Sequence, residues 1–143
     1  TLLIPGQNDS DAELTALSRW VRDELGDDTP LHFSAFHPDF KMSDIAPTPP
    51  VTLRRARRIA LEAGLKHVYT GNVHDVDGDT TQCTGCGKAL IVRDWYEILS
   101  YRLDAQGRCP DCGTPLAGRF GPVGAACGEA FGAQRIAVAI HRR

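Results

Sequence analysis

The sequence predicts an α/β fold, in which parallel strands alternate with helices and a small β ribbon built on cysteines follows. Three observations predict it. Residues 1–74 read strand, helix, strand, helix, strand, an order that calls for crossover connections and a parallel sheet. Residues 83–112 carry the pattern Cys-x-x-Cys-Gly twice. Between the two copies lie two strand-like runs long enough for a hairpin.

The first strand is Leu2-Leu3-Ile4, a buried type of run broken by Pro5-Gly6. Ser10 stands three residues before Glu13, a capping-box pattern that starts a helix. Leu14, Leu17, Val21 and Leu25 then recur at helical spacing, and Gly26 is a fitting stop. A second strand is expected over Leu31–Phe36, closed by His37-Pro38. Thr48-Pro49 reads as the next helix start. Leu53, Ala56, Ala60 and Ala63 form the buried stripe of that helix, which Gly64 ends. Lys66–Thr70 is the third strand.

Three strands and two helices bury only a thin core, and a parallel sheet needs both faces covered. The chain also opens with Thr1 directly at a strand. The expectation is a piece of a longer protein. The boundaries expected are 1–74 for the β/α part, 75–118 for the ribbon and 119–143 for a Gly/Ala-rich tail. Within that tail, Arg135–Ile140 reads as a last strand, since Ile136, Val138 and Ile140 alternate.

The chain has 143 residues and a formal net charge of -2, so charge does not mark nucleic acid or an acidic membrane as partner. No apolar run is long enough to span a bilayer, and the cytoplasm is the expected location. Within the ribbon, Lys88, Arg93, Arg102 and Arg108 are balanced by Asp94, Glu97, Asp104 and Asp111. That balance leaves no electrostatic footprint for nucleic acid.

Four of the five cysteines sit in the two pairs Cys83/Cys86 and Cys109/Cys112, each trailed by a glycine. Two intervening residues let both sulfurs of a pair reach one ion. The glycine supplies the turn that points peptide N–H groups at the sulfurs. Four thiolates in a tetrahedron suit zinc, and iron takes the same ligands. The competing dithiol-redox reading usually shows a single Cys-x-x-Cys beside a strand-helix unit. Protein fills all four positions, so the metal is expected to be structural. Cys127 is assigned nothing.

Elsewhere, His37 follows the second strand, at the carboxyl end where ligands bind in α/β sheets. A surface or capping role fits it equally. Asn8 and Asp9 share that edge, placed either to touch a ligand or, as the simpler reading, to shape the turn before the helix. Asp75, Asp77 and Asp79 lack the glycine position and closing glutamate of a calcium loop, and read as a solvated loop. Arg54, Arg55, Arg57 and Arg58 fall off the apolar stripe and read as a solvated helix face.

Several segments together resemble a known family. They are Thr1-Leu-Leu-Ile-Pro-Gly-Gln-Asn-Asp-Ser, Pro30-Leu-His-Phe-Ser-Ala-Phe-His-Pro-Asp-Phe-Lys-Met, Thr52-Leu, Ala63-Gly-Leu and Val68-Tyr-Thr-Gly-Asn-Val, followed by the cysteine ribbon. The chain resembles the second half of radical SAM enzymes of the AmmeMemoRadiSam system type, related to pyruvate formate-lyase activating enzymes.

The resemblance implies the C-terminal part of a partial (β/α) barrel. It also implies a pocket for S-adenosylmethionine beside a [4Fe-4S] cluster. Ile4, Pro5 and Gly6 match the segment near the adenine, Asn8 lies beside it, and His37 matches a histidine that approaches the cofactor. The family's cluster motif Cys-x-x-x-Cys-x-x-Cys is not in this sequence. The expected partner is therefore an N-terminal half carrying the cluster, with a protein substrate or partner besides. The chain alone is not expected to be catalytic. A standalone ribbon that docks a protein partner is the alternative.

Overall fold

A computed structural model describes residues 1–118 and residue 120. The expected strand Arg135–Ile140, Cys127 and nearly all of the expected tail lie outside the described residues. The chain divides into two compact units, Thr1–Asp79 and Thr80–Arg143.

In the first unit, β1 (Leu2–Leu3), β2 (Leu31–Ala35) and β3 (Val68–Gly71) form a parallel sheet in the order β1-β2-β3. Helix α1 (Asp11–Trp20) connects β1 to β2, and α2 (Pro50–Glu62) connects β2 to β3. The strands alternate in burial, as half-covered strands must. Leu3, Leu31, Phe33, Ala35 and Val68 join Leu14 and Val21 of the first helical segment, and Leu53, Ala56, Ile59 and Ala60 of α2, in one core. Both helices therefore cover the same face. Leu2, His32, Ser34 and Tyr69 alternate onto the other face, where the His32 and Tyr69 rings lie 4.9 Å apart.

Ser10 caps α1 as expected, accepting from the Glu13 N–H and donating to the Glu13 carboxylate. The stripe then fails at its last member. From Val21 to Leu25 the helix widens into a π turn, each residue advances by less than the α-helical angle, and Leu25 swings out to 56% exposure. Thr48 does not start the second helix, which begins at Pro50 after Pro49. Its hydroxyl is used instead between the ends of β1 and β2, accepting the Phe36 N–H and donating to the Leu3 carbonyl.

The arginine run is a correction to the solvated-face reading. Arg57 donates to the Val68 carbonyl at 2.9 Å, and Arg55 reaches Asp11 and the Asp9 carbonyl in the segment that starts α1. Arg54 pairs with Asp75 at 3.4 Å. Arg58 alone of the four pairs along its own helix, with Glu62. The acidic segment is corrected too. Asp75 is buried, accepts from the Thr70 hydroxyl at 3.3 Å, and leads into the short helix α3 (Val76–Asp79). This contact keeps residues 75–79 with the first unit.

In the second unit, β4 (Thr81–Gln82), β5 (Ala89–Asp94) and β6 (Glu97–Tyr101) form an antiparallel sheet in chain order. Asp94 pairs with Glu97, so Trp95-Tyr96 is a two-residue hairpin turn. Its core is small: Leu90, Ile91 and Leu103 with Cys83 and Cys109, flanked by Tyr101 and Leu116. Among the described residues, no helix is long and apolar enough to cross a membrane.

Candidate metal centre

The two cysteine turns have one backbone plan. In the first, the Cys83 N–H donates to the Lys88 carbonyl at 2.8 Å, and the Gly87 N–H donates back to the Cys83 carbonyl at 2.9 Å. In the second, the Cys109 N–H donates to Thr114 at 2.9 Å and the Gly113 N–H to Cys109 at 2.8 Å. Gly87 and Gly113 sit at φ of 72° and 73°, a left-handed conformation that costs a side-chain-bearing residue strain. The glycines trailing both pairs are thus required by the turn itself. The fold closes the turns on each other through β5 and β6, and the Gly85 backbone lies directly against the Thr114 side chain.

This brings the four sulfurs within 4.8 Å of one another. Cys83 Sγ lies 3.5 Å from Cys112 Sγ, and Cys86 Sγ lies 3.8 Å from Cys109 Sγ. A tetrahedral ion with metal–sulfur bonds of about 2.3 Å sets its sulfurs roughly 3.8 Å apart. The four residues fit one such ion. Cys83 and Cys109 are buried, whereas Cys86 and Cys112 are exposed, so the cage opens to solvent on one side. The arrangement can hold a metal without offering it a vacant coordination position.

The sulfurs are not equivalent. The Thr114 hydroxyl, 3.2 Å from Cys112 Sγ, and the Thr114 N–H favour the thiolate and pull this thiol down to about 6. At Cys86 the Lys88 N–H acts in the same direction. Desolvation and the three neighbouring sulfurs outweigh it and push the thiol up to about 12. The Gly85 N–H points at Cys83 Sγ, at 3.4 Å. Beside the sulfurs, Asp111 binds Lys88 at 2.7 Å and Arg102 at 2.9 Å. The Lys88 hydrogen bond holds the Asp111 carboxyl below its ordinary range, and Asp111 raises the Lys88 ammonium in turn.

Sequence reasoning found the four ligands but not Thr114, Asp111 or their partners. A signal for Thr114 was present. It stands two residues after the second cysteine of its pair, where Lys88 stands in the first. That place supplies an N–H to the sulfur in both turns.

The residues expected at the cofactor edge lie in the first unit. Leu3 and Ala35 are paired in register, so Ile4-Pro5-Gly6 and Phe36-His37-Pro38 leave neighbouring strands at the same carboxyl edge. His37 is exposed, with Nδ1 3.1 Å from the Pro38 carbonyl. Asn8 is committed to the turn: its Oδ1 accepts the Ile4 N–H at 2.7 Å and its Nδ2 donates to the Leu2 carbonyl at 2.9 Å. The Gly6 N–H is bound by Asp9 at 2.8 Å. Asn72, which sequence reasoning missed, stands at the end of β3 with φ of 60° and donates to the Ala35 carbonyl.

Fold and site together define a parallel β/α unit joined in one chain to a four-cysteine ribbon able to hold a metal ion. Over 116 residues the chain is 48% identical to the uncharacterized protein MJ0808 of Methanocaldococcus jannaschii. That similarity covers 80% of this chain and 35% of the relative, so the chain spans about a third of that protein's length. No protein-family model matches the chain, and no solved structure matches it.

Proposed function

We propose that this chain is the C-terminal portion of a radical SAM enzyme of the group its sequence resembles. In this reading it contributes the last β/α units of a partial barrel, one wall of the S-adenosylmethionine pocket and a structural zinc ribbon. The observation that carries the reading is the winding of the sheet. The order β1-β2-β3 follows the chain, and both helices cover one face. Successive barrel units are built this way, whereas a doubly wound sheet reverses direction and places helices on both faces.

Ile4-Pro5-Gly6 and His37 flank the pocket in this reading, and Asn8 shapes the turn that presents them. S-adenosylmethionine would supply the radical precursor. These residues would contact it, with exposed His37 offering an imidazole. The [4Fe-4S] cluster does not fit this chain. The four clustered cysteines converge on a single point, and the fifth, Cys127, is one thiol. Its ligands belong to an N-terminal half, which is the partner this chain needs. The zinc ribbon is structural, because a core as small as Leu90, Ile91 and Leu103 gains its folding energy from the ion. In this reading the enzyme is cytoplasmic and takes a protein as substrate or as partner.

Two measurements test this. Metal analysis of the chain is expected to give one zinc per molecule, and incubation with iron, sulfide and reductant to yield no 5′-deoxyadenosine from S-adenosylmethionine. Deoxyadenosine from this chain alone would overturn the reading. So would a coding sequence without Cys-x-x-x-Cys-x-x-Cys upstream of Thr1.

The exposed side chains of the hairpin favour a second reading, a standalone ribbon that docks a protein. Trp95, Tyr96, Ile98 and Leu99 are all at least 38% exposed. A start codon directly before Thr1, with capture of a defined partner lost in Tyr96→Ser, would establish it instead.

A further inference from the structure

The ion pairs around Asp111 join the two cysteine turns at the point where a metal would bind. Asp111 lies between the ligands Cys109 and Cys112 of the second turn, and Lys88 directly follows Gly87 of the first. Lys88 Nζ holds Asp111 Oδ1 at 2.7 Å, while Arg102, just beyond β6, holds Oδ2 at 2.9 Å. The carboxylate is thus gripped on both oxygens by cations from two different segments. Its side chain is 24% exposed, against 55% for Lys88 and 44% for Arg102.

Exposed ion pairs contribute little to bulk stability. This pair is placed differently, because separating Lys88 from Asp111 would separate the two turns that carry the sulfurs.

We infer that Asp111, held by Lys88 and Arg102, is a positioning residue of the metal centre: it clamps the second cysteine turn against the first, so the four sulfurs stand at metal-binding spacing before the ion arrives. The inference rests on the four cysteines being a metal site. Groups outside the ligand shell of a metal site typically change affinity by about 10–100-fold when removed.

The test uses the full chain, stripped of metal and titrated with Co²⁺ under reducing conditions. Thiolate-to-cobalt absorption reports four-sulfur binding. Loss of the signal to a chelator reports the off-rate. Asp111→Asn is expected to weaken Co²⁺ binding about tenfold or more and to speed its loss, with the tetrahedral spectrum retained. Asp111→Glu should recover part of the affinity. Lys88→Met should weaken binding less when combined with Asp111→Asn than when made alone. Raising salt to about 1 M should narrow the gap between wild type and Asp111→Asn, because the clamp is an exposed ion pair.

If wild type binds cobalt and Asp111→Asn matches its affinity and off-rate, the clamp is overturned and the metal site stands. If wild type fails to bind cobalt, the metal site itself falls and the clamp with it. A variant that loses thermal stability but keeps its off-rate also overturns the clamp, since Asp111 would then be merely structural.

Discussion

The Thr48 hydroxyl donates to the Leu3 carbonyl at 2.6 Å, across 45 residues of sequence, while accepting the Phe36 N–H at 2.9 Å. One buried oxygen therefore ties together the ends of β1 and β2, the two strands that deliver Ile4-Pro5-Gly6 and His37. The Thr48 N–H adds a bond to the Phe36 carbonyl at 3.0 Å. Thr48→Val keeps the shape and removes the hydroxyl, leaving two buried backbone groups unpaired. We expect a loss of about 1–3 kcal/mol in denaturant unfolding. Faster amide exchange over residues 37–47 should accompany it, because the loop that Thr48 closes is released.

Metal removal should act on one unit only. Binding energies near 10–16 kcal/mol are usual for structural zinc in small modules. With the ion chelated, amides of residues 80–118 should lose protection from exchange while those of 1–79 keep theirs. Cys83→Ser and Cys109→Ser, at the buried ligands, should weaken binding by about 70-fold or more, which is what one quarter of that energy is worth. Loading should also release protons, since the Cys86 thiol stands near 12 in the metal-free cage and must ionise to bind. Apparent affinity should therefore rise with pH, which a titration with a competing chelator at several pH values would measure.

Gly78 has no room for a side chain. A β-carbon there would overlap the Thr70 hydroxyl and stand 2.7 Å from the Asp75 carboxylate. Gly78→Ala should push α3 off β3, destabilising the first unit by about 1–3 kcal/mol. Chemical denaturation read with a probe in residues 1–79 would show it, and the metal affinity of the second unit should be unchanged.

His67 gives the first unit an acid limit. It is 5% exposed, its Nε2 has no hydrogen-bond partner, and the nearest carboxylate oxygen, on Asp28, is 3.8 Å away. Burial holds its pKa below the ordinary histidine value, the attraction of Asp28 and Asp27 being insufficient to reverse this and Lys66 adding to it. The unfolded chain then binds a proton more readily than the folded one. Stability is full above about pH 6.5 and falls as pH drops through the interval between the unfolded and folded values. His67→Phe should flatten that part of the stability–pH curve, as followed by thermal unfolding between pH 5 and pH 8.

Much of this was legible in the residue order. The cysteine turns were, because a doubled Cys-x-x-Cys-Gly is a local backbone requirement that needs no distant partner. The strands Leu31–Ala35 and Val68–Gly71 and the stripe Leu53, Ala56, Ala60 were, because burial against one face imposes a period. Leu25 was not, because the π turn changes that period without a sequence marker. Asp75, Thr48 and Arg57 were misread for a common reason. Each is a polar residue whose role is set by partners on another element: the Thr70 hydroxyl with Arg54, the Leu3 carbonyl with the Phe36 N–H, or the Val68 carbonyl. Composition around each residue points to solvent, and only the fold supplies the partner. The cofactor edge was legible as a place, since strand ends can be counted. That Asn8 serves the turn was legible too, but not that its amide bonds both the Ile4 N–H and the Leu2 carbonyl.

The order of the strands also bears on how the chain is made. β1, β2 and β3 occupy the sheet in the sequence in which they leave the ribosome, so each new strand finds its neighbour already synthesised. Among the described strands, each pairs with the next in sequence, and α2 can settle on a surface that α1 has begun to cover. The cysteine ribbon has the opposite timing. Cys83 and Cys86 emerge first and remain open thiols until Cys109 and Cys112 follow. For the ribbon, that stretch of synthesis is therefore a vulnerable interval, when a half-built cage is open to oxidation or to a misplaced ion.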